Sequence, residues 1–234
     1  DGVTVHDANG LSFGPVNVSA SLALLTSGNV TQTAPMSVGG SATLDAGSGN
    51  VTLTTGGNNF GSLSVSGGAI SILASGSPLN VSSLASGPNQ SVSLVTGSAL
   101  TLPGGAINTG SGDLTLASGS GPLALPGALS GNNVTVTAAT ALAVNAPVSA
   151  AGKLALKGSS LAISSALSGA EVDLHGIDGV SLTGAAVVSA SAGSGNSLQV
   201  RVDNGAFSNT SSAGAGALTR SEEHTSELQS PLNI

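Results

Sequence analysis

Residues 133–152, NVTVTAATALAVNAPVSAAG, contain three short apolar beats, Val134/Val136, Leu142/Val144 and Val148, separated by small polar residues, Ala, Pro and Gly. The first beat is a pair of apolar residues one position apart. It recurs as Val51/Leu53, Ile70/Ile72, Val92/Leu94, Leu114/Leu116, Leu154/Leu156 and Val172/Leu174. With Val134 included, successive first members lie 19, 22, 22, 20, 20 and 18 residues apart. A second beat follows as Leu63/Val65, Leu79/Val81, Leu100/Leu102, Leu123/Leu125, Leu142/Val144, Leu161/Ile163 and Val180/Leu182. A weaker third follows as Leu84, Ile107, Leu129, Val148, Leu167 and Val187. Self-similarity at a fixed period of this size is the mark of a solenoid.

Within each beat, apolar residues alternate with Ser, Thr or Ala, the period-two pattern of a half-buried strand. Helix is excluded because the runs are short and Gly or Pro interrupts them before a helical turn can propagate. The expected fold is therefore all-β: a right-handed parallel β-helix with about 20 residues and three short strands per coil. Val92 is expected to lie between Ile70 and Leu114 in an inward aliphatic ladder. Single coils cannot bury their own apolar residues, so stability comes from stacking on neighbours. Roughly ten coils predict a rod on the order of 48 Å long.

Composition agrees. The 234 residues include 35 Gly and three Phe, but no Cys, Trp or Tyr, and only 6% are charged. An ordinary globular domain is about 25% charged. The regular aliphatic ladder separates this chain from a disordered one. A net charge of −7 disfavours nucleic acid as a partner. No apolar run approaches the ~18 residues of a membrane span. Absence of Cys removes disulfide and thiol chemistry.

Residues 1–50 carry the same grammar in Val3/Val5, Leu11/Phe13, Val16/Val18, Leu22/Leu24, Met36/Val38 and Ala42/Leu44, with one or two irregular coils expected. Asn58-Asn59-Phe60 is expected to lengthen a turn into a small protrusion. Three segments follow: a β-helix repeat fragment over 1–207, a low-complexity loose segment over 208–219, and a tail over 220–234 of different character. RSEEHTSELQS (220–230) is similar to the conceptual translation of a widely used short-read sequencing adapter. Residues 220–234 are accordingly read as a non-native tail. The chain begins with Asp1, and the repeat reading makes it an internal piece of a longer protein.

DANGLSFG (7–14), SGNVTQTAPMSVGGSATLDAGSGNVTLT (27–54) and NNFGSLSVSGG (58–68) resemble the repeat region of filamentous haemagglutinin-like exoproteins of bacterial two-partner secretion. The resemblance spans residues 1–219 and rests on repeat grammar and composition. It implies a non-enzymatic stalk segment of a large adhesin, secreted or held on the outer-membrane surface of a Gram-negative bacterium, presenting regions for adhesion or aggregation. The partners it implies are an outer-membrane secretion transporter, whose recognition domain is absent here, and surface glycans or proteins. Two alternatives are a carbohydrate-active or glycan-binding β-helix and a self-associating biofilm protein.

Candidate chemistry is sparse. Glu171, Asp173 and His175 alternate outward around Val172 and Leu174, with Lys153 and Lys157 one coil earlier and Ser197, Gln199 and Arg201 one coil later. Carboxylate and imidazole together can share a divalent metal. The plainer reading is a charge ladder in which Lys153 stacks on Glu171 and Lys157 lies near Asp173 and His175. Gly110-Ser-Gly-Asp113 stands alone, without the tandem Gly-Asp turns of a calcium cage. Asn17, Asn29, Asn50, Asn80, Asn89, Asn133 and Asn209 each begin a glycosylation triplet, but Asn also suits strand-entry turns. Outward Thr pairs do not continue as a regular array. Acids and bases are too scattered for a hydrolase or lyase groove. No catalytic residue, metal site or cofactor is expected.

Overall fold

The structure, a computed structural model, describes residues 2–192, 197–214 and 218–220. These contain short strands, parallel wherever they pair, and no α-helix. The chain is a β-solenoid of about nine turns and about 20 residues per turn. Its first wall is one continuous ladder: Leu11–Phe13, Val30–Gln32, Val51–Leu53, Ile70–Ala74, Val92–Thr96, Leu114–Ser118, Val134–Ala138, then the long strands Lys153–Ile163 and Glu171–Leu182, and Leu198–Val202. Val92 pairs with Ile70 on one side and Leu114 on the other, as the period requires. Nine steps at the spacing of adjacent strands give a length of about 43 Å.

Alternation decides which way each residue faces. Along Val134–Ala138 the even positions are buried and the intervening threonines face out. The interior is one column of Leu, Val and Ile, with Leu114, Leu116, Leu123, Leu125, Val134, Val136, Leu142 and Val144 each fully buried. Burying each such side chain favours folding by about 1.5–3 kcal/mol, and the neighbouring coil supplies most of that cover.

Several details differ from the sequence reading. Over residues 3–50, Val3–Asp7, Leu11–Phe13 and Val16–Val18 stack on the next coil without a register shift, and the expected irregularity falls between Val38 and Ser41, where the pairing with the next coil shifts register. Phe60 takes the second-wall rung between Val38 and Leu79, while Val65 stacks against Leu84 in the third wall. Val188, not Val187, lies against Leu167. The shift occurs because both valines are adjacent and only the tertiary register selects one.

The protrusion expected at 58–60 does not exist. Phe60 is 2% exposed and Asn58 is fully buried. The Asn58 Oδ1 accepts the Met36 N–H at 2.9 Å and the Gln32 Nε2–H at 2.9 Å. Its Nδ2 donates to Gln32 Oε1, Leu53 O and Leu73 O at 3.0, 3.1 and 2.9 Å. The carboxamide plugs a corner where three successive coils leave backbone groups unpaired. A buried amide is tolerable because its donors and acceptor are all used.

At the chain's far end, Ala206–Asn209 pairs with the Glu171–Leu182 strand and Leu218–Arg220 with Val188–Ala190. These strands run across the boundaries read at 207/208 and 219/220. Residues 221–234, nearly all of the adapter-like tail, lie outside the described residues.

Candidate functional site

The charged face is assembled by first-wall register. Lys153 lies opposite Glu171, Lys157 opposite His175, Asp173 opposite Gln199, and His175 opposite Arg201. The predicted patch of Lys153, Lys157, Glu171, Asp173 and His175 is therefore brought together on adjacent rungs. Its pairing differs in detail from the expected one. The Lys153 ammonium reaches diagonally to Asp173 at 3.6 Å rather than to Glu171. A lysine stem spans one rung and two residues along a strand, and the diagonal partner is within reach of long side chains. Both partners are substantially exposed, so the pair contributes at most about 1 kcal/mol.

His175 anchors the other end of the face. Arg201 Nη2 lies 2.7 Å from its Nδ1, and Asp203 Oδ2 lies 2.9 Å from its Nε2. A guanidinium only donates, so Nδ1 accepts and the ring proton sits on Nε2, donating to Asp203. Both ring nitrogens are thus engaged within the protein. This hydrogen bond, with the charges of Arg201 and Lys157 behind it, holds the Asp203 carboxyl below its ordinary value. Asp203 was not among the residues singled out by sequence. It shares outward parity with Gln199 and Arg201, a signal that was available. Ser197, expected outward, is instead buried, its backbone carbonyl accepting the Val172 N–H.

A second polar constellation runs along the corner before the first wall. Asn29 Oδ1 accepts the Asn50 N–H, and Asn50 Oδ1 accepts the Ala69 N–H, at 2.8 and 2.9 Å. Further on, Ser91 Oγ accepts the Asp113 N–H, Asp113 Oδ1 the Asn133 N–H, and Asn133 Oδ1 the Lys153 N–H, at 3.0, 3.1 and 2.9 Å. Each side chain satisfies the backbone of the next coil where the chain turns too sharply for ladder bonding. Three of the glycosylation triplets, those at Asn29, Asn50 and Asn133, are therefore corner residues of this ladder. Asn89 is a fourth turn residue, at φ 59°, with Oδ1 accepting the Ser111 N–H. Backbones pass so closely at this corner that a Cβ on Gly49 would strike the Gly28 peptide group.

The Asp113 turn is part of this ladder. Its carboxylate accepts the backbone N–H of Asn133 and the side-chain amides of Asn132 and Asn133, which lowers its pKa from the ordinary 3.8. A depressed carboxylate adds stability that is present above the unfolded value and lost as pH falls through the folded one. The acid limb of the wild-type stability curve should therefore carry a contribution from Asp113 below pH 3.8. Asp113→Asn keeps an oxygen toward Asn133 but not the charge, so it should flatten that limb by lowering stability at pH 7 while leaving stability at low pH near that of the wild type. Circular dichroism melts from pH 2 to pH 7 read this directly, and an unchanged acid slope in the variant would rule it out.

One outward column of hydroxyl side chains, Ser12, Thr31, Thr52, Ser71, Ser93, Thr115 and Thr135, ends at Ala155 and Asp173, while Thr137 stands in another column between Ala117 and Lys157. Among the described residues no group of three or more His, Cys, Asp or Glu side chains is placed to hold a metal ion. No helix there is long and apolar enough to cross a membrane.

Residues 1–67 match a family described as repeats of unknown function (DUF5649). The matched span covers the first three first-wall strands and their continuations, so the similarity is to the repeat itself. No curated protein and no solved structure matches the chain.

Proposed function

We propose that the chain is a non-enzymatic stalk segment of a large bacterial adhesin, secreted or held on the cell surface, that sets binding regions at a distance. The observation that supports this reading best is the unbroken first wall, which carries one register from Leu11 to Val202. Stacked coils give stiffness per residue, because each rung is hydrogen-bonded and buried by two neighbours. The chemistry-bearing side chains are few, and those of the charged face mostly bind one another. The repeat-family match over residues 1–67 supports a structural repeat. Secretion by a partner transporter and a Gram-negative source rest on the resemblance to haemagglutinin-like repeats.

The test is a swap in the parent gene, expressed on a non-adherent bacterium. A deletion of residues 1–219 should lower adherence, and an unrelated β-solenoid of equal length should restore it. Adherence unaffected by the deletion would sink the stalk reading. Adherence restored only by the native segment would instead favour a glycan-binding face, with Lys153, Glu171, Asp173 and Arg201 as its exposed charges.

A further inference from the structure

Three walls run along the solenoid, and among the described residues only the first is continuous. The second wall passes from Val16–Val18 through Phe60 and Leu79 to Leu100–Thr101, and its ladder stops there. It resumes at Leu123–Leu125, which pairs onward with Leu142–Val144 but not back with Leu100. The third wall stops at Leu84 and resumes at Ile107–Asn108, which pairs onward with Leu129–Gly131. Among the described residues, every other step between adjacent coils is paired on all three walls. Both interruptions fall in the coil that starts at Val92.

The local sequence accounts for this. Here the chain runs Leu102-Pro103-Gly104-Gly105-Ala106-Ile107, whereas one coil later it runs Leu125-Pro126-Gly127-Ala128-Leu129. The earlier loop has one extra glycine. The proline is common to both coils, so what sets the earlier loop apart is its second glycine, which adds length and backbone freedom. Both flanking strands shrink to two residues. Burial follows: Leu100, Leu102 and Ile107 keep 3, 7 and 4% exposure, against 0, 0 and 2% for Leu123, Leu125 and Leu129. The loop still touches the next coil, since a Cβ on Gly127 would strike the Gly105 carbonyl, but it makes no ladder with it. Across the same step the first wall is intact, with Val92–Thr96 paired over all five residues on both sides.

We infer that the rod contains one built-in joint at Leu100–Ile107, where two three-walled segments hinge about the continuous first wall and open along the other two. Neighbour coupling in a stacked solenoid is a sum over wall interfaces, so a step that lacks one wall is the weakest in the stack. Two such steps in succession place the opening in this coil. A stalk bent or pulled at its ends yields here first, with the first wall as the strap that keeps the segments aligned.

Amide hydrogen exchange on the intact chain tests it. The amides of residues 100–107 should exchange at least about tenfold faster than those of residues 123–129, which occupy the same positions one coil on. Equal protection of the two segments would overturn the joint. Deleting Gly105 makes the loop the length of its neighbour and should slow exchange at 100–107 toward the level at 123–129. Should the deletion variant fold and exchange as fast as wild type, the extra glycine is not the cause, and the sequence origin given to the joint fails. The wild-type comparison stands whether or not the variant folds.

Discussion

Asn58→Ala is expected to destabilise the N-terminal half of the solenoid by about 3–5 kcal/mol. The side chain is fully buried. Its removal strands the Met36 N–H and the Leu53 and Leu73 carbonyls in the interior, and leaves Gln32 without its two-point partner. Each orphaned buried group costs about 1–3 kcal/mol, and a water entering the small void recovers only part of that. Asn58→Asp separates the two halves of the carboxamide. The oxygen toward Met36 survives, while a second oxygen now faces two carbonyls, so a charge is buried against like partial charges. That variant should be as damaged as the alanine at pH 7 and should improve as acid protonates the new carboxyl. Urea titrations followed by far-UV circular dichroism at pH 7 and pH 5 measure both. A loss below about 1 kcal/mol in Asn58→Ala would mean that the corner is not held by this amide.

Leu156→Asp should abolish folding of the coils around it, and Leu156→Ala should cost about 3 kcal/mol. Leu156 is 1% exposed and lies between Val136 and Leu174 in the interior column. A carboxylate there has no partner and no water. The mutation also reaches beyond its own coil, because the rungs on either side depend on Leu156 for cover. The control is one position away. Ala155 faces outward between Thr135 and Asp173, so a carboxylate in Ala155→Asp stays in water and meets only the like charge of Asp173, and should cost about 1 kcal/mol or less. Thermal melts of the three variants decide it. Comparable losses in Ala155→Asp and Leu156→Asp would contradict the inward and outward alternation on which the fold rests.

The repeat was legible because it is written in the most local signal available, apolar residues two apart recurring about every 20 residues. Val92 between Ile70 and Leu114 follows from spacing alone. So does the approach of Lys153, Lys157, Glu171, Asp173 and His175, since register carries equal offsets to equal places. What failed failed for physical reasons. Gly56-Gly57-Asn58-Asn59 has the composition of an exposed turn, and nothing local says that Asn58 folds inward. The diagonal reach of Lys153 to Asp173, and the clasp of His175 by Arg201 and Asp203, depend on side-chain length and on which rung lies beside which.

The sequence by itself determined the solenoid, its period, the alternation of buried and exposed positions, and the scarcity of chemistry on its faces. These depend on burial of apolar residues, which is non-directional and roughly proportional to area, so it can be read from pattern. The tertiary structure alone decided where Asn58 goes, which valine of Val187 and Val188 turns inward, and where two walls lose their pairing near Pro103. Those outcomes depend on hydrogen bonds, which are directional, and on a one-residue difference in loop length between stacked coils. A backbone donor or acceptor must meet its partner within a few tenths of an ångström, and that condition is set only when neighbouring coils are in place.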